Sequence, residues 1–470
     1  MRDRPPGRAR QGQPHSGSPR RSAAPAAPPP GCILNLEQAL AWLGQHINLE
    51  ADKAVAGKVE GLKLDNMREL CSVLGDPQND QATVHITGTN GKGSVARMVT
   101  ALLGAHDLPT GTYTSPHLET VNERISRNGE PIADAALAQV LSDVARIEPL
   151  LSHRPSYFEL LTAAAFRWFS DEAVAAAVVE VGLLGRWDAT NVVDGVVAVL
   201  TNIGRDHTDG VGDWRQRIAT EKCGIVKPGS TFVVGERDPA LEPIFQATPA
   251  REIWRRDVDF GCATNRLAVG GRVVDLRTPR GSYDDVFVAL HGEHQGDNAA
   301  IALASVEAFF DRPLDAGLVA EAFAGVRNPG RFEIVGRDPL VVLDGAHNAD
   351  GGRAVAATLA EGFAVAGSLR LVIGTLDGRD PSEMLTALGA AHAVDVLCCQ
   401  PDTPRALAAD ALASDVSAVG GSPRVVRSVK SAVETALSDA AAEDAVLITG
   451  SLYTVGEARA ACRGLGLRLL

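Results

Sequence analysis

Apolar residues at helical spacing open the readable part of the chain. They recur over 35–47 (NLEQALAWLGQHI) behind Asn35, a side chain suited to cap a helix. A second helix is expected over 64–74, ending at Gly75-Asp76-Pro77. The pattern then shifts to a short β-type run over 83–87, a glycine-rich turn and a helical stretch over 94–103. Further β-type runs fall at 173–181, 195–201 and 231–234, with helical runs at 157–169 and 214–222 among them. Such alternation predicts a mostly parallel sheet with helices on both faces. Residues 264–290 change character. They read as short strands with turns, 267–274 and 286–290, forming an antiparallel addition.

Residues 326–331 (VRNPGR) have the composition of a linker. Beyond them the alternation restarts, with strands expected at 340–343, 369–373, 394–399, 424–426 and 445–448. The fold class is therefore α/β: an N-terminal P-loop-type, mostly parallel sheet domain over 34–326 and a smaller Rossmann-like domain over 331–470. The second domain has no G-x-G-x-x-G turn after its first expected strand, so a dinucleotide is not implied. No internal repeat is evident.

The composition is that of a globular protein, with 45% hydrophobic and 22% charged residues in 470. That length suffices for two cores. A net charge of −13 argues against a general nucleic-acid binder. Anionic substrates would then need local lysines, arginines, helix N-termini or metal ions. Seven scattered cysteines form no zinc pattern. Cys398 and Cys399 sit in an apolar run and read as small buried residues of a strand. Together these point to a reducing compartment, the cytoplasm. No apolar stretch of about 18 residues is present to span a membrane. Residues 1–33 form a tail rich in Arg, Pro, Ser and Ala. An Arg-rich, acid-poor composition admits a transit peptide; the proline density and missing apolar face favour disorder.

The strongest chemical signal is Gly88-Thr89-Asn90-Gly91-Lys92-Gly93-Ser94, placed between an expected strand and an expected helix. Glycines there let successive backbone N–H groups converge on phosphate oxygens. Lys92 adds a positive charge for the β/γ phosphates and Ser94 an oxygen ligand. The spacing is not the G-x-x-x-x-G-K-[ST] loop, because Gly88 is one residue too close and Gly93 separates Lys92 from Ser94. Glu180 ends an apolar run, and a carboxylate at the carboxyl end of a strand lies where α/β proteins bind ligands.

Eight ordered blocks extend this signal. HITGTNGKGSVARMV (85–99) and GTYTSPHLETVNERI (111–125) are followed by VVEVGLLGRWDATN, IGRDHTDGVG, EKCGIVKPG, HGEHQGDNAAIALA, NPGRFE and LDGAHN. Together they resemble the folate-ligase branch of the Mur ligase superfamily, over nearly everything from Leu34 onward. The resemblance implies an ATP-dependent enzyme that joins L-glutamate to dihydropteroate, reduced folates or both through an acyl-phosphate. It implies two Mg²⁺ ions, one served by Ser115 and Glu180 and a second by His207 with Glu180. Taken alone, His207 reads as a structural loop histidine. Lys222 would be carbamylated, which turns a cation into a carboxylate that helps hold the second ion. Asn298, with Gln295 nearby, would contact adenine. Arg331 would reach the ATP phosphates from the second domain, Asp344 would hold the ribose, and His347 would border the phosphates and the incoming amino acid. The family suggests a monomer.

The chain departs from the family pattern at Asp377-Gly378-Arg379-Asp380, where Asp-Lys-Asp is usual. Lys and Arg are not interchangeable where geometry matters. Trp187 and Cys223 replace the commoner Leu and Ala. Two other readings stay open at this stage. One is a cell-wall Mur ligase, disfavoured because only about 50 residues separate the start of ordered structure near Leu34 from the phosphate loop, where such enzymes carry a distinct UDP-sugar domain. The other is a catalytically silent nucleotide-binding paralogue, disfavoured by the intact set Lys92, Ser115, Glu180, His207, Lys222 and Asp344.

Overall fold

The computed structural model describes residues 33–48, 63–205, 212–378 and 380–469. The tail expected over 1–33 lies almost wholly outside these residues, as do His207 and Arg379. Among the described residues the strands of the first domain are β1 (Ala82–Thr87), β2 (Thr110–Tyr113), β3 (Ile125–Arg127), β4 (Glu130–Pro131), β5 (Ala176–Glu180), β6 (Val197–Leu200), β7 (Thr231–Val234), β8 (Glu252–Arg255), β9 (Gly261–Ala268), β10 (Gly271–Arg277) and β11 (Ser282–Val288). Those of the second are β12 (Glu333–Arg337), β13 (Leu340–Leu343), β14 (Leu369–Ile373), β15 (Asp395–Gln400), β16 (Pro423–Ser428) and β17 (Ala445–Thr449).

The first eight form one sheet in the order β4-β3-β2-β5-β1-β6-β7-β8. From β2 to β8 every pairing is parallel, and the β2–β3 and β3–β4 pairings at one edge are antiparallel. The interior strands are apolar on both faces, as a sheet covered by helices requires. Val84, Ile86, Ala176 and Val178 pack under the helices Lys92–Ala105 and His294–Phe310. Ala177 and Val179, one residue out of phase, face the helices Leu36–Leu43, Asp134–Ile147 and Tyr157–Asp171. The alanines at 299, 300, 302 and 304 let the two helices on the first face approach closely. The second domain is a six-stranded sheet, β12-β13-β17-β14-β15-β16, parallel except for β12.

The fold class and the alternation agree with the sequence; β2, β3, β4 and β8 were not expected, β11 begins at Ser282 rather than at residue 286, and four further details differ. The first helix ends at Leu43, not residue 47, because Gly44 caps it and the His46 imidazole bonds back to the Trp42 and Leu43 carbonyls. The run over 173–181 begins in a turn, with Ala173 left-handed at φ 49°, and the strand starts only at Ala176. The apolar run over 267–274 is two strands. Gly270 (φ 82°) turns the chain there, and Val269 stands 99% exposed at the tip. Finally, residues 333–337 form an unforeseen antiparallel strand, so Asp344 follows the second strand of its sheet rather than the first.

The antiparallel β9–β11 sheet is pinned by a buried acid. Tyr283 Oη donates to Glu307 Oε1 at 2.5 Å, Thr278 Oγ1 donates to Oε2, and the Leu314 N–H donates to Tyr283 Oη at 2.8 Å. Burial pushes the Glu307 carboxyl above its ordinary range, although the two hydroxyls oppose the shift. Tyr283→Phe removes one of these donors from a buried carboxylate. It should destabilise the protein by about 1–3 kcal/mol in urea unfolding at an unchanged m-value.

Candidate active site

β1 lies between β5 and β6, and the chain leaves β1 towards β2 on one side and later crosses from β5 to β6 on the other. The carboxyl end of β1 is therefore a topological switch point, where such sheets bind ligands. Register places Ile86 beside Glu180 and Thr87 beside Leu200, so three strand ends open onto residues 88–94. The loop is packed too tightly for side chains at two positions. At Gly88 (φ 150°) a Cβ would lie 1.8 Å from Thr201 Oγ1, and at Gly91 (φ 84°) 2.8 Å from Asn298 Oδ1. Asn202 and Thr201 hold the loop in place. The Asn90 N–H donates to Asn202 Oδ1 at 2.9 Å, and Thr201 Oγ1 donates to the Asn90 carbonyl at 2.6 Å. No side chain caps the helix that starts at Lys92, so its first N–H groups remain available to an anion.

Cations and a buried carboxylate converge on this loop. Lys92 Nζ donates to the Gly88 carbonyl at 3.2 Å, and Lys222 Nζ, buried at the end of the helix Trp214–Lys222, donates to the same oxygen at 2.7 Å. A small cavity of about 20 Å³ lies between them, walled by Val181, Gly182 and Leu184. Glu180 is only 5% exposed and accepts the Ser115 N–H at 3.4 Å. Burial pushes its carboxyl above the usual range, and Lys92, the Ser115 N–H, Arg331 and Arg97 pull it back. Asp344 follows the same logic. Burial raises it, while Arg331 and the amides of Phe332 and Ala346, each at 2.7 Å, oppose.

One cavity of about 600 Å³ runs from the first domain into the second. It collects Thr89, Asn90, Gly91, Lys92, Gly93, Ser94, Ser115, Glu180, Gln295, Asn298, Arg331, Asp344 and His347, which lie far apart in sequence. Gly88 and Lys222 border the small cavity directly beneath the loop. Gln295 and Asn298 bond to each other at 3.0 Å and bring the Asn298 carbonyl against Gly91. His347 Nδ1 donates to the Gly345 carbonyl at 3.0 Å.

Sequence reasoning missed the groups that tie the second domain and the linker before it to the phosphate loop. Asn348 Nδ2 donates to Asn90 Oδ1 at 3.0 Å, and Asn328 Nδ2 donates to Ser94 Oγ at 2.8 Å. Both asparagines sit inside recognised blocks, NPGRFE and LDGAHN, which is the signal that could have found them. Also missed were Asn66, Ser156, Phe158 and Glu159, which line the same cavity as Trp187, itself 44% exposed.

Among the described residues no group of three His, Cys, Asp or Glu could hold a metal by itself. The site still fits Mg²⁺. That ion keeps several waters and is usually held by one or two carboxylates plus substrate phosphates. Glu180, a desolvated carboxylate with Ser115 beside a phosphate loop, supplies that kind of donor set.

The description "Mur ligase middle domain" matches residues 86–306, and "Mur ligase, glutamate ligase domain" matches 330–452. Fold and site thus define a two-domain ligase of the Mur type. Dihydrofolate synthase/folylpolyglutamate synthase of Mycobacterium tuberculosis is 40% identical over 440 residues, covering 84% of this chain and 89% of that one. The crystal structure of M. tuberculosis folylpolyglutamate synthase with ADP and AMPPCP superposes with a TM-score of 0.84 at 37% identity, over 91% of this chain and 98% of that one. The bifunctional enzyme of Yersinia pestis, complexed with AMPPNP and Mn ion, gives a TM-score of 0.78 at 29% identity over 90% and 98%. The chain belongs to the dihydrofolate synthase/folylpolyglutamate synthase family.

Gly93 separates folding from ligand binding. A Cβ there would meet only Glu180 Oε2, at an ordinary 3.6 Å, and no left-handed backbone demands glycine. Gly93→Ala should leave stability unchanged or raise it by about 0.5–1 kcal/mol. Its methyl group would occupy the phosphate side of the loop and weaken ADP binding at least about tenfold, or about 1.4 kcal/mol. Thermal unfolding and calorimetric titration on one sample check both halves.

Proposed function

We propose that this chain joins L-glutamate to dihydropteroate, to reduced folates or to both, at the expense of ATP. The observation that carries the reading is the convergence of Lys92, Glu180 and Ser115 of the first domain with Arg331 of the second on one cavity beside the phosphate loop. The phosphate loop and Lys92 cradle the triphosphate, and Arg331 adds a planar cation suited to bidentate phosphate contact. Asn298 and Gln295 lie at the adenine side, Asp344 at the ribose, and His347 near the incoming amine. Glu180 and Ser115 would hold divalent metal, with His207, outside the described residues, expected from the resemblance to join them; the ion would neutralise charge on the transferring phosphoryl group.

The substrate carboxylate attacks the γ-phosphorus, ADP leaves, and an acyl-phosphate forms. The glutamate amine then attacks the acyl carbon, loses a proton and expels phosphate. An acyl-phosphate hydrolyses readily, so a cavity shared between two domains serves the chemistry by excluding water. Phe158 and Trp187, which line the same cavity, offer flat apolar surface to a pterin. The relatives favour this folate branch over a cell-wall ligase. A cytoplasmic location and a monomeric state, the latter suggested by the family resemblance, form part of this proposal.

ADP release is measured with Mg²⁺, ATP and L-glutamate, with dihydropteroate in one assay and a reduced monoglutamyl folate in another. Turnover with one or both is expected. Turnover with neither, from folded protein that binds ATP, overturns the assignment. We further propose that Lys222 is carbamylated. It is buried, borders a small cavity, and now shares one carbonyl with a second ammonium, a crowding that conversion to an anion would relieve. Lys222→Ala should lose at least about 100-fold in kcat, the scale of a group that fixes transition-state charge, and regain part with short carboxylates in the buffer. No rescue, together with no effect of bicarbonate on the wild type, contradicts this.

A further inference from the structure

The loop that presents Ser115 is docked on the second domain through one buried arginine. Three successive N–H groups of that loop, at Leu118, Glu119 and Thr120, donate to the Glu123 carboxylate at 2.8, 2.9 and 2.8 Å, which makes the loop a rigid unit. The Glu119 carboxylate points across the domain boundary. It accepts Arg459 Nε at 2.9 Å and Arg463 Nη2 at 3.0 Å, both from the helix Leu452–Gly464. The same Arg459, 5% exposed, bonds through Nη1 to Glu333 Oε2. That oxygen also accepts the Gly330 N–H at 2.8 Å, and Gly330 is the immediate neighbour of Arg331. Steric fit reinforces the contact. A Cβ on Gly456 would lie 2.0 Å from the Leu118 carbonyl, and one on Gly330 3.1 Å from the Leu118 side chain.

One guanidinium therefore joins the segment ending in Ser115 to the segment ending in Arg331. We propose that Arg459 is a positioning residue that sets the metal-facing Ser115 and the phosphate-facing Arg331 in a single register, so that the metal–nucleotide site is complete only when the second domain is docked. The inference rests on the assignment of Ser115 and Arg331 to that site. Arg459 touches neither substrate nor metal in this account. Its fork geometry is what allows two carboxylates on different segments to be held at once, which a lysine ammonium reproduces only in part.

The test is the Mg²⁺ dependence of ADP affinity by calorimetric titration, beside the Mg²⁺ concentration for half-maximal turnover and kcat, in wild type, Arg459→Gln, Arg459→Lys, Glu119→Gln and the Arg459→Gln/Glu119→Gln pair. Arg459→Gln should raise the Mg²⁺ requirement and lower kcat, each by about tenfold, as expected for two coupled sites. The Mg²⁺-dependent tightening of ADP binding should fall by about tenfold in the same variant. Arg459→Lys should recover part of the loss. Glu119→Gln should shift the Mg²⁺ requirement in the same direction, and the pair should be no worse than Arg459→Gln alone. Should Arg459→Gln fail to fold, Glu119→Gln decides the matter by itself. An unchanged Mg²⁺ requirement in Glu119→Gln, or independent multiplication of the two effects, overturns the proposal. Ser115→Ala and Arg331→Ala, run alongside, distinguish the two failures. If they too leave turnover and Mg²⁺ dependence at wild-type values, the site assignment has failed, not merely the coupling.

Discussion

A carboxylate taken out of water at the end of a parallel strand has to be neutralised, and the site is arranged around that requirement. Glu180 ends β5 beside Ile86 of β1 and is only 5% exposed where it lines the cavity between the domains. An uncompensated buried carboxylate would cost several kcal/mol. Lys92, Arg97, Arg331 and the Ser115 amide together oppose the upward shift that burial imposes, without abolishing it. The residual demand for positive charge is what a divalent ion bound with ATP would supply. The same group explains why the phosphate loop carries Gly93. A side chain there would crowd the space between the carboxylate and the phosphates.

The second domain meets the first largely through polar contacts, with Leu118 of the first packed against a core of the second. Asn348 reaches Asn90, Asn328 reaches Ser94, Arg459 reaches Glu119, and Arg272 pairs with Glu361 at 2.6 Å. Each domain keeps its own cores on both faces of its sheet. A polar boundary can open and reclose at small cost, as an enzyme must that admits three substrates and then excludes water from an acyl-phosphate.

Much of this was legible in the sequence because the information is local. The strand, glycine loop and helix over 82–105 are adjacent in the chain, and the backbone requirements at Gly88 and Gly91 are written directly as glycine. Glu180 was legible as the polar end of an apolar run. What escaped depends on partners remote in sequence. The Asn90–Asn348 and Glu119–Arg459 contacts join residues hundreds of positions apart, and no periodicity announces them. The hairpin at Val269-Gly270 was hidden by apolar residues that run through the turn. β12 was hidden because it is short, bulged against β13 and preceded by a linker whose composition masked its start. Gln295 and Asn298 were seen, but their packing against Gly91 follows only from how closely the alanine-rich helix approaches the phosphate loop.

The central claim is that Glu180 makes nucleotide binding depend on the metal. Calorimetric titration of ADP, with and without Mg²⁺, into wild-type protein and Glu180→Gln tests it most directly. In the wild type Mg²⁺ should tighten ADP binding by about tenfold or more, equivalent to at least about 1.4 kcal/mol. In Glu180→Gln the two affinities should become equal while metal-free ADP still binds. An undiminished Mg²⁺ effect in the variant would contradict the account.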